Sequence, residues 1–218
     1  MTTFGFLEQL GRNNNRPWFA AHKPEYDHLR QAWLEQLQVM INHMALWDPS
    51  LGRFTAKECA YRIYRDTRFS PDKTPYKVYF SAAVSPYGRK SDHAGYYLQM
   101  DSRPGESGLY GGIWCPDSTQ LRKLRKAFDD NAEELTEIIS SPGLLAKYPG
   151  WCGRSLKTAP KGWNKDHPLI EVLRLCDIGK FMPVNREYFL DPGWPERAAE
   201  DFRPLKPLVD FINYSLDE

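Results

Sequence analysis

Residues 62 to 77, RIYRDTRFSPDKTPYK, bring five cations and two carboxylates together among aromatic residues. The local excess is three positive charges, whereas the whole chain has a net charge of +1. Guanidinium and ammonium groups that are not neutralised internally are suited to binding phosphate or carboxylate. We therefore predict that this segment belongs to an enzyme or binding protein for a small anionic molecule. The predicted ligand-binding residues are Arg62, Arg65, Arg68, Lys73, Tyr76 and Lys77.

Strand geometry predicts how the charges of this segment are arranged. If residues 60 to 68 are extended, Asp66 shares a face with Arg62 and Arg68, because side chains alternate along a strand. One carboxylate cannot neutralise two guanidinium groups, so Asp66 is predicted to orient the arginines or to act as a catalytic base. The following SPDK at 70–73 has the composition of a type I turn, which would return its lysine towards the arginines.

Two other interpretations of the basic segment stay open. The same face, extended by a second basic loop with Lys157, Lys161 and Trp163, would suit a nucleic-acid or protein partner. If that loop lies over the Arg68 end of the strand, the two clusters would form one pocket. Alternatively, the charges form a purely structural network, since breaking a buried ion pair costs about 3–5 kcal/mol.

The pattern RxxRDxRFxxxKxPYK, which begins at Arg62, resembles the signature of a widespread, mainly bacterial family catalogued as domain of unknown function 2461. Five other stretches are similar to the pattern of that family: FLEQLGRNNNRPWF, GYYLQM, GLYGGIWCP, LKTAPKGW and DHPLIEVLR. The resemblance spans nearly the whole chain. It implies a single domain over residues 1–218 and assigns no activity, because the family has none established.

Hydrophobic periodicity predicts an α+β fold, with an antiparallel meander sheet of four or more strands packed with N-terminal, central and C-terminal helices. Apolar residues at spacings of three and four between 29 and 47 predict the N-terminal helix. Asp117 and Gln120 form a capping box, which predicts a long central helix ending at SSPG. FMPV at 181–184 is a candidate edge strand. Alternation with a period of two predicts strands at 57–65, 76–85, 95–101 and 108–114.

Two features near the fourth predicted strand have alternative explanations. Gly111 and Gly112 favour a β-bulge over a close approach by a ligand or another backbone segment. Cys115, at the start of the central helix, is a candidate nucleophile only if its thiol is exposed. We expect it to be shielded, because it follows Trp114.

Composition excludes several classes of protein. Among 218 residues, 41% are hydrophobic and 26% are charged, which is typical of a soluble globular protein. The near balance of 29 basic and 28 acidic residues argues against a dedicated nucleic-acid binder, although a local basic patch is compatible with it. No apolar run approaches the roughly 20 residues of a membrane span, and no signal peptide is evident, so we predict a cytoplasmic protein without membrane partners.

Cysteine and histidine spacing predicts neither a metal site nor a disulfide framework. The four cysteines form no CxxC pair and are expected to be free thiols in a reducing compartment. The five histidines form no HExxH motif. Glycine-rich nucleotide motifs are also absent, so no cofactor is predicted.

Overall fold

A computed structural model describes all 218 residues and shows an α+β fold with helices around a four-stranded antiparallel sheet. The predicted fold class is therefore confirmed. The strands lie side by side in the order of the chain. They are β1 (Tyr79–Val84), β2 (Gly95–Asp101), β3 (Gly108–Ile113) and β4 (Ile178–Pro183).

Eleven α-helices and two 3-10 helices make up most of the remaining regular structure. No helix is both long and apolar enough to cross a membrane. The 3-10 helices are Pro49–Arg53 and Arg203–Leu205. The α-helices are α1 (Thr3–Arg12), α2 (Arg16–Ala21), α3 (Lys23–Met44), α4 (Ala56–Cys59), α5 (Ser118–Asp130), α6 (Ala132–Ser140), α7 (Pro142–Lys147), α8 (Ile170–Leu173), α9 (Arg186–Leu190), α10 (Trp194–Phe202) and α11 (Lys206–Asp217).

Local signals placed several helices correctly. The apolar stripe of α3, from Leu29 to Met44, is buried as its spacing predicts. The side chain of Asp117 accepts hydrogen bonds from the backbone of Thr119 and Gln120, which confirms the capping box of α5. The central helix is shorter than predicted. It ends at Asp130, and after Asn131 the chain forms a separate helix, α6.

The contacts of the chain divide it into two compact units. Unit 1 comprises Met1–Val84, Tyr97–Leu109 and Pro183–Glu200, and its core includes the stacked indoles of Trp33 and Trp194. Unit 2 comprises Ser85–Tyr96, Tyr110–Met182 and Asp201–Glu218, and its core includes the rings of Phe128 and Phe211. That the whole chain is a single domain stays a prediction.

The predicted strand at 57–65 is wrong. Thr55 and Glu58 form a reciprocal capping box, so Ala56–Cys59 form a helical turn instead. The chain after this turn is extended but forms only two isolated antiparallel bridges with the β1 region. Ala60 pairs with Ala82 within β1, and Tyr64 pairs with Tyr76 before it. The fourth strand of the sheet is β4, which includes three of the four FMPV residues and lies at an edge, as predicted.

Close packing against neighbouring atoms explains the paired glycines of β3, whereas the bulge that we favoured stays a prediction. A Cβ atom on Gly112, whose φ is +137°, would lie 2.2 Å from the carbonyl oxygen of Ile178. A Cβ atom on Gly111 would lie 2.6 Å from a methyl group of Leu205. Only glycine allows β3 to pass its neighbours at these distances.

Candidate anion-binding site

A cavity of about 460 Å³ lies within unit 1, where α2 and the first residue of α3 meet the segment from 64 to 76. Its volume is in the range that small-molecule sites occupy. Three cations line it, together with three aromatic rings, and no carboxylate does. The lining residues are Arg16, Phe19, Ala20, Lys23, Tyr64, Arg65, Thr67, Pro75 and Tyr76.

The NNNRPWF stretch and the PYK stretch build the cavity wall together. Asn14 pairs with the main chain of Tyr76 as a neighbouring strand would: Tyr76 N–H donates to Oδ1 at 3.0 Å, and Nδ2 donates to the Tyr76 carbonyl at 2.9 Å. Asn15 accepts from Trp18 N–H and so caps α2. That helix carries Phe19, whose ring stacks on Tyr76 with the centroids 4.1 Å apart. These contacts place Arg16 at the mouth of the cavity.

Arg65 stabilises the loop that follows it and also lines the cavity. Its NH1 donates to the carbonyl oxygen of Thr74 at 3.1 Å, to the Thr74 hydroxyl and to the carboxylate of Asp72. The Thr74 backbone N–H, and then Arg65, lower the pKa of Asp72 to about 2, so this carboxylate stays ionised. Arg65 thereby closes the loop between Asp66 and Thr74, while its Nε donates to no protein atom.

The three cations of the cavity differ in how far they are already paired. Lys23 Nζ donates to Asp27 at 2.6 Å, one helical turn away on the surface of α3. Arg65 is half-buried and paired with Asp72. Arg16 is exposed and forms no hydrogen bond or ion pair within the chain. Arg16 therefore has its full set of donors available for a ligand.

Of the residues predicted to bind the ligand, Arg65 and Tyr76 line the cavity. Lys73 Nζ donates to the carbonyl of Thr67 at 2.9 Å, so it returns towards the arginines as predicted, although a bend at Pro71 and not a hydrogen-bonded turn brings it there. Lys77 lies over the rings of Tyr61 and Tyr79.

Asp66 does not bridge two arginines. It binds Arg68 alone, through the guanidinium at 2.7 and 3.0 Å and the backbone N–H at 3.2 Å, while Arg62 is exposed without a direct partner. The Arg68 side chain, followed by its backbone, lowers the pKa of Asp66 to about 2. A carboxylate of that acidity is a weak base near neutral pH. The Asp66–Arg68 pair is also exposed, where ion pairs contribute little to stability.

The second basic loop lies in unit 2. Trp163 Nε1 donates to Asp129 at 3.2 Å, and His167 Nε2 lies 2.9 Å from the other oxygen of that carboxylate, so α5 anchors the loop. Lys157 and Lys161 are exposed. None of these residues lines the cavity of unit 1. A binding role for this loop stays a prediction.

Sequence reasoning missed most of the residues that line the cavity. Arg16, Phe19 and Lys23 lie about forty residues before the basic segment, and no local rule connects the two stretches. One signal pointed towards them: RNNNRPWF is another dense mixture of polar, basic and aromatic residues. It belongs to the same family resemblance as the basic segment, but the sequence does not say that the two are in contact.

The fold and the cavity define an α+β protein with a basic, aromatic-lined cavity. A family model described as conserved hypothetical protein (DUF2461) matches residues 2–211, so the chain belongs to that family. This confirms the resemblance inferred from the sequence. No curated protein and no solved structure matches the chain significantly.

Proposed function

We propose that the cavity of unit 1 binds a small molecule that carries a phosphate or carboxylate group, as the substrate of an enzyme or the ligand of a binding protein. One observation carries the proposal: Arg16, Lys23 and Arg65 line the cavity without any carboxylate among the lining residues. The carboxylates that pair with Lys23 and Arg65 lie outside the lining, and Arg16 has no counter-ion, so the cavity favours the binding of an anion. The aromatic wall would hold the apolar part of the same molecule.

The residues of the cavity have different roles in this proposal. Arg16 is the main anion ligand, because its guanidinium is unpaired and can form two parallel hydrogen bonds to phosphate or carboxylate. Arg65 contributes a positive charge that the loop holds in position. Burial raises the pKa of Tyr76, with a smaller contribution from Tyr64, so the Tyr76 hydroxyl stays protonated near neutral pH.

Replacing Arg16 with glutamine is expected to weaken the binding of pyrophosphate about 10- to 100-fold, because a hydrogen-bonded charge is lost from the site. Isothermal titration calorimetry on the full chain measures this change. Arg62→Gln is the matched control, since Arg62 is also an exposed arginine without a direct partner but does not line the cavity. Neither residue holds the fold together, so both variants should melt like the wild type.

Two results would contradict the proposal. In the first, Arg16→Gln and Arg62→Gln bind pyrophosphate equally well, which would place the anion outside the cavity. In the second, the wild-type chain binds neither pyrophosphate nor any member of a panel of phosphorylated and carboxylated metabolites at low salt. The second result would exclude an anion site in the cavity.

A second candidate function rests on Phe69, whose side chain is 94% exposed. The guanidinium carbon of Arg68 lies 5.7 Å from the centre of its ring, and Arg62 and Lys73 are exposed in the same segment. An exposed ring among cations is the arrangement that stacks a base and contacts the backbone of single-stranded nucleic acid. This is the interaction module that the sequence left open as an alternative.

Phe69→Ala is expected to weaken the binding of a single-stranded oligonucleotide about tenfold, since stacking contributes about 1–3 kcal/mol per base. Fluorescence anisotropy at two salt concentrations measures both the loss and the salt dependence. Leu46→Ala is the control, because Leu46 is another exposed apolar side chain of unit 1. If the wild-type chain does not bind the oligonucleotide at low salt, the nucleic-acid function is excluded. The proposal of an anion site in the cavity would not be affected by that result.

A further inference from the structure

Three of the four cysteines, Cys115, Cys152 and Cys176, belong to unit 2 although they are far apart in the sequence. They lie near the ion pair of Arg154 and Asp177. Cys115 donates its backbone N–H to the carboxylate of Asp177 at 2.9 Å. Cys176 donates its N–H to the carbonyl of Arg154 at 2.8 Å, and Cys152 pairs with Gly179 in an antiparallel bridge. The backbones of these three cysteines therefore lie next to the contact between Arg154 and Asp177.

Cys115 is exposed, and so is Trp114, which corrects the expectation that the tryptophan shields the thiol. Arg154 NH2 lies 3.6 Å from the sulfur, at hydrogen-bonding distance for a sulfur acceptor. The backbone of Cys115 has a φ of +53°, a conformation that non-glycine residues rarely adopt. Exposure and an adjacent guanidinium are the two conditions that distinguish reactive cysteines from inert ones.

Asp177 holds the guanidinium of Arg154 in place. Its side chain is fully buried and accepts four hydrogen bonds, one from Cys115 N–H and three from the backbone N–H, Nε and NH2 of Arg154. Burial alone would raise the pKa of Asp177, but these donors outweigh it and lower the pKa to about 2. The carboxylate is therefore ionised near neutral pH and orients Arg154, whose NH1 has no partner within the chain.

Tyr110 supplies an independent observation at the same place. Its side chain is 8% exposed, and its hydroxyl is buried without a hydrogen-bond partner. The hydroxyl lies against Gly179, where an added Cβ atom would be 2.2 Å away. Burial, followed by the charges of Cys152, Asp177 and Cys115, raises the pKa of Tyr110, so the group stays protonated. Unpartnered buried hydroxyls are uncommon in native proteins, and this one lies within electrostatic reach of Cys152 and Cys115.

The remaining cysteines lack the surroundings of Cys115. Cys59 is buried. Burial, reinforced by the charge of Asp177, raises the pKa of Cys152 to about 11, so this thiol is neutral near pH 7. Cys176 is half-buried, and its sulfur lies 4.0 Å from the carbonyl oxygen of Arg174. Cys115 is the one exposed cysteine, and its sulfur contacts a guanidinium group.

We infer that Cys115 is a site of oxidation by hydroperoxides, with Arg154 binding the thiolate and the incoming peroxide. The thiolate sulfur attacks one peroxide oxygen, the O–O bond breaks, and the sulfur–oxygen bond of a sulfenic acid forms. Sulfur gives up two electrons to the peroxide. The alkoxide that leaves takes a proton from solvent and departs as an alcohol. The free NH1 of Arg154 is placed to donate to the peroxide during this step.

The experiment treats the full chain with cumene hydroperoxide, traps sulfenic acid with dimedone, and quantifies each cysteine by mass spectrometry. We expect Cys115 to be labelled fastest, and Arg154→Gln to slow its labelling about tenfold, because the thiolate loses its charged donor. Arg122→Gln is the matched control, since Arg122 is exposed on α5 without a direct partner. Labelling of Cys115 no faster than that of Cys176, or unchanged by Arg154→Gln, would overturn the inference.

Tyr110→Phe tests whether the Tyr110 hydroxyl takes part in the oxidation of Cys115 or only packs in the core. Removal of an unsatisfied buried hydroxyl should raise the melting temperature slightly, whereas loss of the donor should slow the labelling of Cys115. Unchanged labelling would exclude the Tyr110 hydroxyl from the site. Arg16→Gln should not change the labelling of Cys115. The experiment therefore tests the oxidation of Cys115 independently of the proposed anion site of unit 1.

Discussion

Gly112→Ala is expected to be the most damaging single substitution that adds only one carbon atom to this chain. The new Cβ would lie 2.2 Å from the carbonyl oxygen of Ile178 and 2.6 Å from the Cα atom of Gly179, both of which are backbone atoms of the β4 region. These backbone atoms of β4 cannot move away from Gly112 unless β4 separates from β3. We expect a loss of about 4 kcal/mol or more, a large part of the stability of an ordinary domain. Urea denaturation, or the yield of soluble protein, measures it.

Two other glycines serve as matched controls for Gly112→Ala. Gly105 has a φ of +78° but no atom within 4 Å of an added Cβ, so Gly105→Ala isolates the backbone strain, which costs about 1 kcal/mol. Gly143 lies in α7 with open space around it, so Gly143→Ala should be neutral or stabilising by up to about 1 kcal/mol. If Gly112→Ala unfolds at the same urea concentration as Gly105→Ala, the close approach of β3 and β4 is wrong.

Trp194→Ala is expected to destabilise the chain by about 3–5 kcal/mol, as large-to-small substitutions of buried aromatic residues do. The indole is fully buried and stacks on Trp33 with the ring centroids 5.6 Å apart, and Phe189 packs edge-on at 5.3 Å. Alanine would leave a cavity among these rings that unit 1 cannot fill. Urea denaturation monitored by far-UV circular dichroism measures the change.

Trp114→Ala is the control, because that side chain is 62% exposed and its removal should change the free energy of unfolding by less than about 0.5 kcal/mol. Trp194→Phe should cost less than Trp194→Ala, since it retains an aromatic ring and removes an indole N–H that has no partner. Equal losses for Trp114→Ala and Trp194→Ala would contradict the placement of Trp194 in the core.

The basic segment contains a residue that both stabilises its loop and lines the cavity. Arg65 is structural in part, because it ties Asp72 and Thr74 into the loop, and it also lines the cavity. Arg68 forms an exposed pair with Asp66 and contributes little to the fold. The cations of the segment therefore do not share one set of contacts, and Arg16, the one cavity-lining cation without an ion pair, lies outside the segment.

Local physical chemistry allowed the sequence to determine a good part of this protein. The capping box of Asp117, the apolar stripe of α3 and the alternation in β1, β2 and β3 depend on neighbours a few residues away, so their patterns could be read directly. The family resemblance was inferred from local patterns of the same kind, and the family model that matches residues 2–211 confirms it. The local charge excess correctly indicated a basic region.

Only the tertiary structure decided which residues meet. Asn14 pairs with Tyr76 across 62 positions, and that contact brings Arg16 to a cavity that the basic segment alone does not form. Likewise, Asp177 accepts a hydrogen bond from Cys115 62 positions away, and the same carboxylate orients Arg154 against the exposed thiol. Such contacts depend on loop closure and packing over the whole chain, because no residue near Arg16 or Cys115 in the sequence specifies its distant partner.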